Sequence, residues 1–581
     1  MSKQWLVADK INQEIISENS AYSPILLQLL FNRNIKAKEA IEAFLNVEYG
    51  GENYSPFLFN NMDKAADLII SHIKNKSKIV VYGDYDADGV TSSAVLFDVL
   101  TTLKAEVEIY LPNRETEGYG LNKNAVEEIA KSGVKLIITV DNGIRNKEEV
   151  NFAKEKGLDI VLTDHHEGAS DQSEWPDCLI VNPILEGEKY PFRFLAGVGV
   201  AFKLAEAIIE KSKLAEADKQ KLKERNLDLV AIGTVADCVR LDGENRLLVK
   251  KGLEVLNNTN RLGLQEIFKI AQIDKKELFA WNIGFQIAPR LNAAGRLEHA
   301  NTAFEILVTR DAEEAKTLAR DLDNKNYSRQ RATDNITDNI VAQIERERDP
   351  EAKILIAVSP EVADPNAEAW KEGVVGLVSG KITEKFYLPS LVITASDKEG
   401  IIKGSGRSIE EFNLIGAVEE CADLLLKYGG HKMACGFSLE KEKLSAFQEK
   451  ISRIAKEKLE GKDIRPKIKI DAEINLAEAT EELCYDIVKL EPFGVGNSEP
   501  ILASHNCQVM DVMMMGMENQ HIKLKLKSAE SYVKTAIGFS QAEKWKDLQI
   551  GDTIDIAYYL DLNRYNGREE AQLKIVDIKK K

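Results

Sequence analysis

Acidic side chains cluster where an apolar run, KIVV, is followed by YGDYDADGVTSS. Asp84, Asp86 and Asp88 alternate there, and alternate side chains of an extended segment share one face, so the three carboxylates can converge. Two such charges about 4 Å apart cost about 4 kcal/mol at an effective dielectric near 20. A bound cation would offset that cost, so the pattern favours a metal site over a purely structural loop. Gly89 permits a sharp turn into a helix beginning near Val90, whose free amides favour an anion.

The letters D-x-D-x-D-G also match the start of a calcium-binding EF-hand loop. That interpretation fails at the last position of the loop, where the required bidentate Glu is replaced by Val95. The segment before the motif also has the pattern of a strand, whereas an EF-hand loop follows a helix. The motif therefore indicates a different kind of metal site.

Further candidate ligands follow other predicted strands. Asp141 ends KLIITV, and Asp164, His165 and His166 follow DIVLT. The carboxyl ends of parallel strands lie side by side, so these residues can share one crevice. Asp141 alone could be a cap or a ligand, whereas two adjacent histidines suit one metal ligand and one phosphate contact. Asp237 lies inside the apolar run LVAIGTVADCVRL, where a buried carboxylate needs backbone hydrogen bonds or a metal.

Together these residues offer oxygen ligands and an imidazole from four separated segments. This chemistry suits Mn²⁺ or Mg²⁺ better than zinc, and a bridging carboxylate suits two ions about 3.5 to 4 Å apart. Such a pair of ions can activate a water and hold a phosphoryl group. The expected reaction is hydrolysis of a phosphoester or phosphoanhydride.

The elements that must position these residues form an α/β pattern. Short β-branched runs (KIVVYG, EVEIYLP, KLIITV, DIVLT and CLIVNP) alternate with helical segments, which predicts a parallel sheet covered on both faces. A second α/β unit begins near Ala352, and alternating segments after about Pro466 predict a small β-barrel or sandwich. A polar helical stretch at 311–349 is either a connector between lobes or an ordinary helix with a solvated face. The segment before residue 62 reads as short helices that pack on the rest.

The composition restricts the class of protein. The 581 residues carry 77 Lys and Arg against 94 Asp and Glu, a net charge of −17, which argues against a basic coat for polyanions but not against a metal-dependent phosphate site. The six cysteines contain no CxxC pair, so neither zinc nor a redox motif is indicated and a reducing cytoplasm is expected. With no signal peptide and no apolar stretch of about 18 residues, we expect neither secretion nor membrane insertion.

The motifs DYDADG, VDNG, DHH and GTVADCV, in this order and spacing, resemble the DHH phosphoesterase superfamily. Further motifs resemble the RecJ family of single-strand-specific exonucleases: AGVGVAFKL, IAPRLNAAGRL, GSGRS and GGHKMACG. The resemblance covers nearly the whole chain. It implies a helical extension (1–61), a parallel-sheet DHH domain (62–305), a long connecting helix (306–350), a DHH-associated α/β domain (351–465) and an OB-fold (466–581).

The resemblance also implies roles for individual residues. Metal ligands would be Asp86, Asp88, Asp141, His165 and Asp237, with Asp84 a further member. His166 would contact the scissile phosphate and Asp164 would orient an imidazole, while Arg290 would act beside Asp141 in catalysis. Arg290, Asn292 and Arg296 would face the nucleic-acid backbone, although a salt bridge at a helix end is an alternative for Arg290.

Other residues are candidates for binding the strand. Ser405 and Arg407, among the glycines of GSGRS, would offer backbone amides and a guanidinium fork to a terminal phosphate, and in RecJ-like enzymes this lobe binds the 5′ end. Gly429, Gly430 and His431 would let the main chain approach the substrate. Arg114 could contact phosphate, and Tyr119 could stack on a base or pack in the core. Lys523, Lys525 and Lys527 share one face of a tail strand.

The leading hypothesis is an exonuclease, dependent on two Mn²⁺ or Mg²⁺ ions, that degrades single-stranded DNA from the 5′ end to mononucleotides in recombination and repair. Two alternatives stay open. One keeps the same chemistry on a small substrate such as pyrophosphate, a short oligoribonucleotide or a cyclic dinucleotide. The other is a catalytically inactive replication scaffold. The resemblance further implies a monomer whose partners are single-strand-binding protein and a RecQ-type helicase.

Overall fold

The computed structural model describes residues 3–46, 53–114, 116–273, 278–297, 299–347, 349–364, 366–396, 398–565 and 567–581. The chain divides into two compact units. The larger contains Lys3–Asn292, Ala300–Ala319 and Lys467–Lys581, and the smaller contains Ala293–His299 and Arg320–Pro466. Within the described ranges, none of the helices has the length and apolar character needed to span a membrane.

The N-terminal segment contains a strand in addition to the expected helices. β1 (Gln4–Val7) precedes α1 (Gln13–Glu18), α2 (Pro24–Phe31) and α3 (Lys38–Leu45). The expectation of helices alone was wrong because β1 pairs, in parallel, with a tail strand more than 450 residues later in the sequence (Lys467–Ile470), and such a partner leaves no local periodicity. The leucines of α2 are buried in the same apolar cluster as the interior of the tail, so this extension packs on the end of the chain.

A five-stranded sheet positions most of the predicted chemistry. Its strands are β2 (Lys78–Tyr82), β3 (Glu106–Tyr110), β4 (Leu136–Val140), β5 (Asp159–Thr163) and β6 (Leu179–Val181). All neighbours are parallel, in the order β3-β2-β4-β5-β6. The intervening helices are α4 (Met62–Lys74), α5 (Ala87–Thr102), α6 (Lys123–Lys131) and α7 (Lys147–Glu155). Because β2, β4 and β5 are adjacent, their carboxyl ends meet at one edge.

Helices dominate the larger unit after β6. They are α8 (Gly197–Lys211), α9 (Glu216–Glu224), α10 (Leu227–Ala236), α11 (Gly243–Asn257), α12 (Leu262–Ile270), α13 (Ala280–Asn282), a π-helical turn (Ile283–Ile287), α14 (Ala288–Leu297) and α15 (Asn301–Val308). α5 packs against α8 and α10. Lys203 of α8 is fully buried and pairs with Glu206 at 3.0 Å and Glu244 at 2.8 Å, so its charge is compensated inside the fold.

A single 36-residue helix, α16 (Ala312–Glu347), occupies most of the predicted connecting stretch. The smaller unit then contains β7 (Leu355–Val358), α17 (Glu372–Phe386), β8 (Ser390–Ala395), β9 (Ile401–Arg407), α18 (Leu414–Glu419), β10 (Lys427–His431), β11 (Ala434–Glu440) and α19 (Leu444–Leu459). Its sheet has the order β10-β11-β9-β8-β7. Only β7 and β8 run parallel in it, so this second α/β unit has a mixed sheet.

The tail forms a closed barrel. β12 (Lys467–Ile470), β13 (Ala472–Glu473) and α20 (Glu481–Val488) precede β14 (Leu502–Met515), β15 (His521–Lys527), β16 (Val533–Gly538), β17 (Thr553–Tyr565) and β18 (Arg568–Lys580). The order β14-β15-β16-β18-β17 closes through β14 and β17, which is the OB-fold arrangement. Sequence reasoning missed β14, the longest strand, because bulges near Ser504 and Val509 break its alternation.

A histidine on β14 joins two other strands. The imidazole of His505 contacts Glu473 at 2.9 Å and Asp555 at 3.2 Å. Partial burial alone would lower the pKa of His505, but the hydrogen bonds to Glu473 and Asp555 raise it above its usual value. Nearby, the indole of Trp5 donates to Asp577 at 2.9 Å. These contacts attach β1 and β13 to the barrel.

Candidate metal centre

The first acidic motif is helical where the sequence suggested an extended segment. Asp86 caps α5 by accepting the amide hydrogens of Asp88 (3.0 Å) and Gly89 (3.1 Å), so the helix begins at Ala87 and not near Val90. The three carboxylates therefore reach one site from a strand end, a cap and a first helical turn. A Cβ on Gly89 would lie 2.6 Å from the backbone of Asp84, so this glycine permits close approach and is not a turn residue.

The predicted ligands come together at the edge where β2, β4 and β5 end. The Nε2 atom of His165 lies 3.1 Å from Asp141 Oδ1, 3.6 Å from Asp237 Oδ2 and 3.9 Å from Asp88 Oδ2. Three overlapping groups each place their ligand atoms within 4.8 Å of one another: Asp84, Asp86 and Asp141; Asp88, His165 and Asp237; and Asp141, His165 and His166. Asp141 and His165 each belong to two of these groups, so they connect the three sets of candidate ligands.

The site leaves buried polar atoms without partners. Asp84 Oδ1, Asp141 Oδ1 and His165 Nε2 are enclosed and make no hydrogen bond, because the 3.1 Å contact between Asp141 Oδ1 and His165 Nε2 does not have hydrogen-bond geometry. An unpaired buried polar group costs about 1–3 kcal/mol, and more when it is charged. All three atoms are of the types that Mn²⁺ and Mg²⁺ bind. The donor set of this site thus fits a divalent cation.

The electrostatics of the cluster agree with that fit. Burial, followed by repulsion from neighbouring carboxylates, raises the pKa of Asp84, Asp141 and Asp237 well above the ordinary aspartate value. The same causes raise the pKa of Asp88 to about 7. A divalent cation among these groups would reverse the shift by favouring their ionised forms. The raised pKa values of these carboxyl groups are consistent with a site for a divalent cation.

Backbone geometry fixes two of the carboxylates. Asp88 accepts the amide hydrogens of Gly197 (2.7 Å) and Val198 (2.8 Å) at the start of α8, a favourable place for a negative charge. Asp141 has a left-handed conformation with φ of 62°. A Cβ on Gly197 would lie 2.6 Å from Asp141 Oδ1. Sequence reasoning did not assign Gly197 a role, although the motif AGVG contained the signal.

His166 also makes hydrogen bonds at the edge of the cluster. Its Nδ1 lies 2.8 Å from Asp164 Oδ1 and 3.0 Å from the hydroxyl of Tyr119, and Tyr119 also donates to the carbonyl of Asp141. Burial alone would lower the pKa of His166, but Asp164 and then Asp237 and Asp84 raise it to about 9. Cations that neutralise the cluster would bring it back down. Tyr119 is thus held by its hydroxyl, while its side chain stays about half exposed.

Three further predicted residues make contacts within the larger unit. The side chain of Asn292 accepts the amide hydrogen of Ala87 at 2.7 Å, so it fixes the start of α5. The guanidinium of Arg114 lies 5.2 Å from the centre of the Tyr85 ring. Burial raises the pKa of Asp84, and the charge of Arg114 opposes that rise only slightly. Arg290 donates to the carbonyl of Gln286 at 2.6 Å, a contact within its own helix.

A tail loop at 494–496 contacts the loop at 240–241, which follows Asp237 in the sequence. The amide of Leu241 donates to the carbonyl of Val495 at 2.6 Å. Gly494 lies against Leu241, and Gly496 lies against Arg240. A larger side chain at Gly494 would fit only if the side chain of Leu241 moved. Sequence reasoning missed this contact because its two sides are about 250 residues apart. These contacts connect the tail to the chain four residues after the candidate ligand Asp237.

The candidate strand-binding residues of the smaller unit lie on its sheet. β9 pairs with β11 on one side and with β8 on the other. The backbone amides of GSGRS therefore lie within a paired strand, whereas we expected them to be available to a phosphate. Its glycines make space instead: a Cβ on Gly404 would overlap the ring of Phe437. Ser405 and Arg407 project on the opposite face toward Gly376 of α17, and burial lowers the pKa of Arg407.

The other predicted residues of the smaller unit lie on an edge strand and on α14. Gly429, Gly430 and His431 lie on β10, an exposed edge strand of the sheet. Gly430 has φ of 141° and a Cβ there would lie 2.2 Å from the carbonyl oxygen of Ala434, so only glycine fits. Arg296 donates to the carbonyl of Gly373 at 3.0 Å. Across β11, Ser405 and Gly429 flank Gly436, and Arg407 and His431 flank Ala434.

Comparison with known proteins decides the family. Three family models match: the DHH family N-terminal domain at residues 78–234, the DHHA1 domain at 352–457 and the RecJ OB domain at 470–577. The chain is 38% identical to the single-stranded-DNA-specific exonuclease RecJ of Bacillus subtilis, over 98% of this chain and 69% of the relative. It is 31% identical to that of Escherichia coli over 96% of both. The chain belongs to the RecJ family of exonucleases.

Solved RecJ structures agree with the fold. The structure of RecJ from Thermus thermophilus in complex with Mn²⁺ matches with a TM-score of 0.83 at 27% identity, covering all of this chain and 80% of that one. A structure of the same protein with Mg²⁺ matches this chain with a TM-score of 0.77. A RecJ structure bound to manganese is 32% identical over 71% of this chain, with a TM-score of 0.59. The DHH, DHH-associated and OB architecture expected from the sequence is confirmed.

Proposed function

We propose that this RecJ-family enzyme hydrolyses single-stranded DNA from the 5′ end to mononucleotides, with two divalent cations, Mn²⁺ or Mg²⁺, in recombination and repair. The observation that carries the proposal is the set of buried ligand atoms without partners at the joined ends of β2, β4 and β5. The ligands would be Asp84, Asp86, Asp88, Asp141, His165 and Asp237. Family membership supports the single-stranded substrate, since the relatives are named for it.

The chain's own residues would orient the reacting groups. When bound, the cations would supply an activated water and stabilise charge on the phosphoryl oxygens. Asp164 binds Nδ1 of His166, so Nε2 of that ring is directed away from Asp164 and can reach a phosphate oxygen as a donor when the ring is protonated. The hydroxyl of Tyr119 lies 3.0 Å from the same Nδ1 atom, so both contacts leave Nε2 available. His166 would thus contact the scissile phosphate.

The barrel offers a surface for the strand beyond the site. Lys523, Lys525 and Lys527 alternate on β15 with buried Ile522 and Leu524, so the three ammonium groups share the outer face. That face of an OB-fold binds single strands in many proteins. We propose that these lysines contact phosphates, and that Ser405 and Arg407 bind the 5′ end.

The test uses matched labelled strands. Single strands labelled at either end and the corresponding duplex are incubated with Mn²⁺, with Mg²⁺ or with a chelator. The proposal expects labelled mononucleotide at once from the 5′ label, delayed release from the 3′ label, little duplex degradation and no reaction with the chelator. Preferential release from the 3′ label, or equal degradation of the duplex, would contradict it. Faster turnover of dinucleotides than of long strands would favour a small substrate.

A pair of histidine variants separates catalysis from folding. His165→Ala removes the imidazole at the centre of the carboxylates and should abolish hydrolysis while leaving strand binding largely in place. His505→Ala, which also removes a carboxylate-bound histidine but on the barrel, is the matched control and should keep activity. If His165→Ala hydrolysed single strands as fast as an active His505→Ala, the assignment of His165 as a metal ligand would be refuted.

We also propose the setting in which the enzyme works. All six cysteines are free thiols, consistent with a reducing cytoplasm. The proposal includes action as a monomer together with single-strand-binding protein and a RecQ-type helicase. Sedimentation at micromolar concentration tests the monomer, and co-sedimentation with each purified partner tests the association.

A further inference from the structure

Two large aromatic side chains are stacked on the surface of the larger unit. The rings of Trp281 and Phe285 have centroids 5.4 Å apart and planes inclined by 23°. Their exposed fractions are 59% and 67%. Exposed apolar residues that occur singly are ordinary on a protein surface, but a stacked and exposed pair is a preformed aromatic surface. We call Trp281 and Phe285 the aromatic pair.

The backbone accounts for the exposure of the pair. α13, the π-helical turn and α14 form one helical run from Ala280 to Leu297. Ala280, Ile283 and Ile287 are the buried positions of its first part, so the opposite face carries the aromatic pair outward. π-helical turns are rare and occur often at functional sites. The exposed position is therefore fixed by the helix and does not come from a loose loop.

The helical run leads from the aromatic pair to the metal centre. Gly284 lies between Trp281 and Phe285 in the sequence and packs against Val235. Val235 precedes the candidate ligand Asp237 by two residues. Farther along the run, Asn292 binds the amide of Ala87 at the start of α5. At 1.5 Å per residue, Phe285 precedes Asn292 by about 10 Å along the helix axis. At 3.4 Å per nucleotide of a stacked strand, that length corresponds to about three nucleotides.

The local charge suits a polyanion. Residues 278–292 contain no Asp or Glu and one arginine, Arg290, in a chain whose net charge is −17. A strand that leaves the metal centre along this helix would therefore meet no carboxylate on the run itself. Aromatic faces accept the bases of any sequence, because every base has a π face.

We propose that the aromatic pair is a base-stacking site for single-stranded DNA, about three nucleotides from the scissile phosphate. This inference rests on the proposed function, because it concerns the path of the same substrate. The pair holds the strand by its bases while the metal centre engages the phosphate. Duplex DNA, whose bases are already stacked on each other, cannot use this surface.

The test measures binding of a phosphorothioate-linked strand, which resists hydrolysis, to the Mn²⁺-loaded full-length protein by fluorescence anisotropy. Trp281→Ala with Phe285→Ala should weaken binding about 5- to 100-fold, the range for loss of base stacking. Phe57→Ala, which removes another exposed aromatic ring, is the matched control and should bind like the unmodified protein. The Mn²⁺ affinity, measured by calorimetry, should be equal in all three proteins.

A strand with one abasic site locates the contact. Moving that site along the strand should weaken binding of the unmodified protein at one or two positions and should have no such effect on the double-alanine variant. Trp281→Phe with Phe285→Tyr should restore affinity, whereas Trp281→Leu with Phe285→Leu should not. Restoration by leucine, or equal binding by the alanine variant and the control, would overturn the inference and leave the pair as a protein-docking surface. An unmodified protein that degrades no single strands would instead refute the proposed function.

Discussion

Gly197→Ala is expected to disable the candidate metal centre although it replaces none of the candidate ligands. The added methyl group would lie 2.6 Å from both Cβ and Oδ1 of Asp141. The amide of the same residue also binds Asp88 at 2.7 Å. The backbone of α8 therefore cannot retreat without loosening a second carboxylate, and the displacement must be taken up largely by Asp141.

The size of the effect follows from the contact distances. Carbon and oxygen atoms approach to about 3.3 Å at closest, so relief of the clash requires a shift of roughly 0.7 Å. Metal–ligand distances tolerate only about 0.2 Å, and misplacement of a reacting group by about 1 Å can cost about 100-fold in rate. We expect kcat/KM to fall about 100-fold, equivalent to about 2.7 kcal/mol of transition-state stabilisation.

The assay combines calorimetric titration of Mn²⁺ with the rate of mononucleotide release from a 5′-labelled strand. Gly199→Ala, two residues later on α8, is the matched control, because the atoms nearest to its methyl group belong to the side chain of Leu195, at 3.1 Å or more. Both variants should retain the circular dichroism spectrum of the unmodified protein. If Gly197→Ala binds Mn²⁺ and cleaves within about threefold of Gly199→Ala, then Gly197 does not position Asp141 in the way described.

The remaining predictions concern charged groups. Asp164→Asn should lower kcat about 10- to 100-fold, because it weakens the orientation of His166, with little change in Mn²⁺ affinity. Lys203→Met should lower the thermal midpoint strongly, since loss of one partner of a buried ion pair costs about 3–5 kcal/mol. His505 has a raised folded-state pKa, so its stabilisation is full below about pH 6.5 and is lost as the pH rises through that raised value. The melting difference between the unmodified protein and His505→Asn should therefore be larger at pH 6 than at pH 9.

Each of these predictions has an outcome that would contradict it. Unchanged kcat in Asp164→Asn would mean that His166 is oriented by other contacts. Lys211→Met, which removes a lysine paired with surface carboxylates, is the control for Lys203→Met, and equal melting of the two would show that the buried pair contributes nothing. A pH-independent melting difference for His505→Asn would exclude a protonation effect at that residue.

The sequence by itself determined the family, the fold classes and the candidate ligands. Apolar runs ending in Asp84, Asp141 and Asp164 predict adjacent parallel strand ends, because a parallel sheet always brings its carboxyl ends to one edge. The adjacent histidines His165 and His166 could be read as ligand and phosphate contact for the same reason. These inferences depend on residue type and local periodicity, which a single sequence contains in full.

Only the tertiary structure decided how the ligands are held. The amides of α8 that bind Asp88, the space that Gly197 leaves for Asp141, and the tail loop at Val495 that supports the loop after Asp237 all join segments far apart in the chain. The same holds for β1, whose partner strand lies near the other end of the sequence. Long-range contacts of this kind leave no local pattern, because they depend on which surfaces packing brings together.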